Sequence, residues 1–311
     1  MEYSIENILV PTDFSESADN ALTIAIAVAE RHNATLHLLH VIEPLILGKF
    51  ANIHGKIINV QKKMILKAKK NIAYQANLIE KSTTLKVKAN VFLDGVADGV
   101  ARYEDENNIS LTVIGTHGKS GYYDFFSGSN AIRIIEKSNV PVLSISPFFT
   151  KKVFEKILYS VRVVEGNVEK YEYVKPILQK NKSKLQILGV YEFEKVDQVN
   201  ELSEKIDEIR YLAQSNDSEV SYDLTPCHGI EKIILEKSEE FQSDLIVINT
   251  TFDKKWYHIF KGNSFTEEIV NKAKIPILNI KSKLLINDLE NLLDLRTEKN
   301  IDYMPLNIHA L

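Results

Sequence analysis

The residues of this sequence best suited to chemistry are three glycines at fixed spacing. Gly115, Gly118 and Gly128 follow the pattern G-x2-G-x9-G, with Ser129 and Asn130 directly after. Residues without a Cβ let backbone N–H groups approach a ligand closely. A helix start adds unpaired N–H donors and the positive end of a dipole. The chemistry such a loop supports is anion binding, above all of phosphate. Residues 113–145, VIGTHGKSGYYDFFSGSNAIRIIEKSNVPVLSI, supply the matching frame: an apolar strand, the loop, a helical pattern from about Ser129 and a second strand. His117 stands in the loop with no second histidine at ligand spacing and no evident acid partner, so it reads as a solvated loop residue. Tyr122, Tyr123, Phe125 and Phe126 read as lid packing or a dimer contact in preference to base stacking.

The elements that must position this loop alternate along the chain. The run Ile8–Val10 stops at Pro11, as a buried strand ends at a loop. A broad helical stripe follows over Ser15–Arg31, with Ser15 or Ser17 as its N-cap. Leu36–Glu43 is the second strand, 45–60 a long excursion, and Val60–Lys81 a second helix with lysines opposite its apolar side. Leu85–Leu93 and Leu111–Ile114 are strands three and four, with a helix through Val100 and Tyr103 between them. This alternation implies an α/β fold with a parallel sheet covered by helices and right-handed crossovers.

The chain then repeats itself. LHLLHVIE at Leu36 matches LQILGVYE at Leu185, 149 positions on (185 − 36), and ILV at Ile8 matches ILY at Ile157 at the same offset. LTVIGT at Leu111 matches LIVINT at Leu245, and VPVL at Val140 matches IPIL at Ile275, at offsets of 134 and 135. The second copy is therefore shorter between its second and fourth strands. Two similar domains are expected, 1–147 and 153–281, followed by a helical tail over 282–311 with leucines at spacings of three and four. The 311 residues are enough for both.

Composition excludes several classes. With 38 Lys plus Arg against 42 Asp plus Glu, the net charge of −4 offers no global field for nucleic acid. No apolar run is long enough to span a bilayer, and residues 1–30 lack a basic start followed by an apolar stretch, so no membrane partner and a cytoplasmic location are expected. Cys227 is the single cysteine. It precludes an intrachain disulfide or a thiolate cluster, and reads as an ordinary loop residue.

The glycine spacing, the opening ILVPTDFSESADNAL, the IGTHGKSG loop and the closing PVL strand together resemble the universal stress protein family, over 1–147 and more weakly over 153–281. The resemblance implies two Rossmann-like domains of the adenine nucleotide alpha hydrolase type, each a five-stranded parallel sheet with helices on both faces. It also implies ATP, or a related adenine nucleotide, as ligand, with Mg2+ as an optional companion. Carried over residue by residue, Pro11, Thr12 and Asp13 end strand one, with Asp13 facing the adenosine, where a carboxylate accepts from a ribose hydroxyl or the adenine amino group. Val41 offers backbone groups to the adenine edge. Ile114, Gly115, Gly118 and Lys119 form the phosphate loop, and Gly128, Ser129 and Asn130 donate from the helix start.

The second copy departs from this pattern. Asn249 and Phe252 replace the first two glycines, Asn263 replaces Ser129, and Arg162 stands where Asp13 was. The second domain is accordingly expected to fold, to lack the usual ATP site, and to pack on the first as a pseudo-dimer, with a homodimer as a further assembly. Because the fold alone does not choose a function, three readings stand: an ATP-binding stress or signalling protein, a slow ATPase, or a nucleotide-free interaction module. The absence of a Walker A sequence, a general base and a carboxylate pair for Mg2+ argues against catalysis. On that reading Gly115 and Gly118 are there for a ligand, since the second copy does without them.

Overall fold

The computed structural model describes residues 2–45, 54–116, 128–163, 168–214, 219–250 and 265–281. The N-terminal half runs β1 (Asn7–Pro11), α1 (Glu16–His32), β2 (Thr35–Ile42), α2 (His54–Ser82), β3 (Val87–Leu93), α3 (Val96–Glu106), β4 (Leu111–Gly115), α4 (Gly128–Lys137) and β5 (Val142–Ile145). The C-terminal half repeats the order: β6 (Lys156–Val161), α5 (Tyr171–Asn181), β7 (Lys184–Glu192), α6 (Val199–Gln214), β8 (Val220–Cys227), α7 (Ile230–Phe241), β9 (Leu245–Thr250), α8 (Phe265–Lys272) and β10 (Ile277–Lys281). The tail over 282–311 lies outside the described residues.

Each half is a five-stranded parallel sheet, and the two join into one ten-stranded sheet of order β3-β2-β1-β4-β5-β10-β9-β6-β7-β8. Only the junction is antiparallel: β5 and β10 pair Ser144 with Ile277 and Leu143 with Leu278. Asn279 donates to the Val142 carbonyl across it at 3.1 Å. The repeat read from the sequence is the register of the sheet. Ile8 pairs with Leu36 and Leu111, and Ile157 pairs with Leu185 and Leu245. The shortening of the second copy falls between its second and third strands, where α6 has 16 residues and α2 has 29.

Because strand side chains alternate between faces, the sheet separates two cores. Ile8, Val10, Leu36, Leu38, Leu111 and Val113 pack with α1 and α2, while Leu9, Leu39, Val41 and Ile114 pack with α3 and α4. The C-terminal half places α5 and α6 on the first of these faces and α7 and α8 on the other. Burying each such Leu or Ile contributes about 1.5–3 kcal/mol. Among the described residues no helix is long and apolar enough to cross a membrane. Cys227 corrects one expectation: it is the last residue of β8 and is buried, and burial pushes its thiol pKa up.

Candidate functional site

In each half the strand order reverses direction between two central neighbours, β1 and β4 or β6 and β9. Ligands of open parallel sheets settle in the crevice outside the carboxyl ends of the strands at such a point. The N-terminal crevice gathers Pro11, the last residue of β1, then Thr12 and Asp13, with Ile114 and Gly115 ending β4 beside them. Gly128, Ser129 and Asn130 are the first three residues of α4. Gly118, Lys119 and His117 lie outside the described residues, as do Phe252 and Asn263 of the second copy.

A chain of local bonds shapes the turn after β1. Thr12 is buried; its N–H donates to Leu39 at 2.8 Å and its hydroxyl accepts from the Phe14 N–H at 3.0 Å. Asp13 accepts through Oδ1 from the Ser15 N–H at 3.0 Å, an Asx turn that fixes a half-buried carboxylate at the crevice. Its charge, after burial, helps raise the pKa of Asp19, which the Gln75 amide opposes. Ser15 then caps α1, accepting from the Ala18 N–H at 3.2 Å. Of the two serines read as caps, Ser15 holds the position, while Ser17 donates to the Thr116 carbonyl at 3.1 Å and ties α1 to β4.

Between Asp13 and Ser15, Phe14 adopts φ 65°, a left-handed conformation that costs a non-glycine residue about 1–2 kcal/mol. The other left-handed residues other than glycine, among those described, come in pairs at the repeat offsets. Asn33 and Lys182 are 149 apart (182 − 33) and follow α1 and α5; Asn108 and Gln242 are 134 apart (242 − 108) and follow α3 and α7. Those four end helices and belong to the fold. Phe14 has no counterpart at Val163, so its strained turn belongs to this crevice.

Two residues of the crevice escaped the sequence reading. His40 bonds the Thr12 carbonyl through Nδ1 at 2.7 Å, which makes Nδ1 the protonated nitrogen, and its ring lies 4.7 Å from that of Phe14. A usable signal existed: His40 becomes Gly189 in the second copy while its neighbours are kept. Val41, beside it, turns its side chain into the core against Gly99 and stands in register with Phe92 of β3.

Gly115 also has a packing role. A Cβ there would stand 2.5 Å from the Ser17 carbonyl oxygen, a backbone atom that cannot swing away. The first turn of α1 fills the space a side chain would take, so packing is sufficient reason for this glycine. The helix starts differ between the halves: α1 begins five residues beyond Pro11 (16 − 11), α5 ten beyond Val161 (171 − 161).

In the C-terminal crevice the charges are reversed. Arg162 follows β6 at the position of Asp13, donates to the Asn249 carbonyl at 2.9 Å and lies over the Phe265 ring at 4.3 Å. Burial lowers its pKa to about 10. At the position of His40, a Cβ on Gly189 would meet Ile206 and Leu224 at 2.7 Å, so hydrocarbon occupies the place of the imidazole.

Comparison with known proteins places this geometry. A sequence model described as the universal stress protein family matches residues 4–146. Universal stress protein A homolog 1 of Coxiella burnetii is 32% identical over 145 residues, covering 45% of this chain and 95% of that protein. A universal stress protein of Methanocaldococcus jannaschii is 26% identical over 156 residues, 46% of this chain and 96% of its own. Among solved structures, a universal stress protein from Archaeoglobus fulgidus shares the fold over both halves, with a TM-score of 0.66 at 19% identity, covering 90% of this chain and 99% of that one. On the strength of an N-terminal half that aligns with nearly the whole of these relatives, the chain belongs to the universal stress protein family.

Proposed function

We propose that the chain is an adenine-nucleotide-binding stress-response protein of the cytoplasm, with ATP held in the N-terminal half. The observation that carries this reading is the reversal at the two crevices: Asp13 is fixed by an Asx turn beside β4 in one half, and Arg162 takes its place in the other. An acid at the end of β1 suits ribose hydroxyls, while the start of α4, at the same end of the sheet, suits phosphates through its dipole. In this reading Val41 offers backbone groups to the adenine, and Gly128, Ser129 and Asn130 donate to the phosphates with Gly118 and Lys119 of the loop. A Mg2+ ion, if it accompanies the nucleotide, would be held by the phosphates. Residues 1–147 and 153–281 form two domains packed as a pseudo-dimer through the β5–β10 junction.

Calorimetric titration of the full chain with ATP tests the reading. Binding should weaken at least about tenfold in Asp13→Arg and in Gly118→Phe, each of which copies the second half into the first. Equal affinity in wild type and both variants would place the nucleotide elsewhere.

A further inference from the structure

The C-terminal crevice holds a feature the nucleotide reading does not use. Lys170 precedes the first residue of α5 and is 2% exposed, yet its Nζ finds no hydrogen-bond partner among the described residues. Arg162 lies near enough to depress the lysine electrostatically, and the start of α5 adds the positive end of a helix dipole. Tyr159 and Tyr171 adjoin, and Tyr159 bonds the Asn249 side chain. Among the described residues the acid felt by Lys170 is Glu169, whose own side chain is exposed.

Burying an ammonium without an acceptor costs several kcal/mol, and a second cation nearby raises the cost. Proteins relieve such a site by deprotonating the lysine or by admitting an anion. Burial, then Arg162, lower the Lys170 pKa to about 8 against the pull of Glu169, so the group is still mostly charged at neutral pH. Deprotonation is therefore incomplete relief.

We propose that the crevice formed by Arg162, Lys170 and Asn249 at the β6–β9 switch point binds a compact oxyanion of the phosphate or carboxylate class. The ligand is not a second nucleotide, because Arg162 stands where the ribose-facing acid would be and hydrocarbon replaces His40. The two halves then bind different ligands on one scaffold, and the second crevice has changed ligand instead of losing function.

The full chain in inorganic phosphate, in acetate and in chloride at equal ionic strength tests this. Phosphate or acetate should raise the melting temperature of wild type, and the rise should vanish in Lys170→Met and Arg162→Met. In parallel, the Lys170 side-chain NMR signal, assigned by its loss in Lys170→Arg, should titrate at higher pH once the anion is present. Phosphate alone acting identifies a phosphate site; acetate alone identifies a carboxylate site. A titration that neither anion moves overturns the proposal, even if the methionine variants fail to fold. A melting rise that survives in Lys170→Met overturns it equally, by placing the anion elsewhere.

Discussion

The two strand-end crevices share a register and differ in charge, in helix start and in strain. The first has an acid, a histidine and a left-handed phenylalanine; the second has a buried lysine, a half-buried arginine and hydrocarbon where the histidine was. Their strands pair at equivalent positions in both halves. The same sheet register therefore carries either chemistry at its strand ends.

Exchanging the crevice glycine should have the largest effect. Gly115→Asn copies Asn249 into the first half, but there α1 starts early and a Cβ meets the Ser17 backbone at 2.5 Å. The expected loss is about 3–4 kcal/mol in urea unfolding. Should Gly115→Asn prove as stable as wild type, α1 is free to withdraw as α5 does, and packing does not explain the glycine.

A second contrast lies away from the crevices. Glu104 of α3 is buried and accepts from Thr112 at 2.6 Å and from Ser138 at 2.9 Å. At the repeat offset α7 carries Ser238 in its place, and Ile246 and Ala273 replace the two hydroxyl donors. Burial raises the Glu104 pKa from 4.5 to about 7, against the pull of those hydrogen bonds. The folded state thus binds this proton more tightly than the unfolded chain does. The stability it contributes is complete below pH 4.5, falls as pH rises towards 7 and is lost above that. Relative to Glu104→Gln, wild type should lose about 3 kcal/mol across that window, measured by urea midpoints at stepped pH. A constant gap between the two proteins would remove Glu104 as a titrating group.

The topology was legible in the sequence because apolar periodicity and the internal repeat both report burial, and burial is what the sheet imposes. Asp13 and Arg162 were legible as opposite charges at one register position. The reason for Gly115 was not, since it depends on the Ser17 carbonyl, nearly a hundred positions away in the chain. Nor was Lys170, which belongs to no motif and is unusual only because folding buries it without an acceptor. Cys227 was misread for a related reason: a strand that ends in proline and cysteine looks like a loop until its pairing with β7 is seen.

Reciprocal charge exchange between the crevices should have a smaller effect. If Asp13→Arg weakens ATP binding by about tenfold, roughly 1.4 kcal/mol, then Arg162→Asp should still fail to create an ATP site in the second half. That half would regain the acid but not the early helix start or His40. Calorimetry showing nucleotide binding gained by Arg162→Asp, in a chain also carrying Asp13→Arg, would mean that the acid alone decides.

The smallest expected effect concerns the helix starts themselves. Ser15 caps α1 through its side chain, whereas Lys170, at the same position of α5, makes no side-chain cap. Ser15→Ala should therefore cost about 1 kcal/mol, the usual value of an N-cap hydroxyl. Lys170→Ser should stabilise the chain in chloride, because it removes a buried ammonium that has no acceptor among the described residues. With phosphate present the gain should shrink, since the wild-type lysine then has an acceptor and the serine does not. Urea unfolding of both variants in the two salts measures each effect. A Lys170→Ser gain of the same size in chloride and phosphate would mean that the lysine was never kept for an anion.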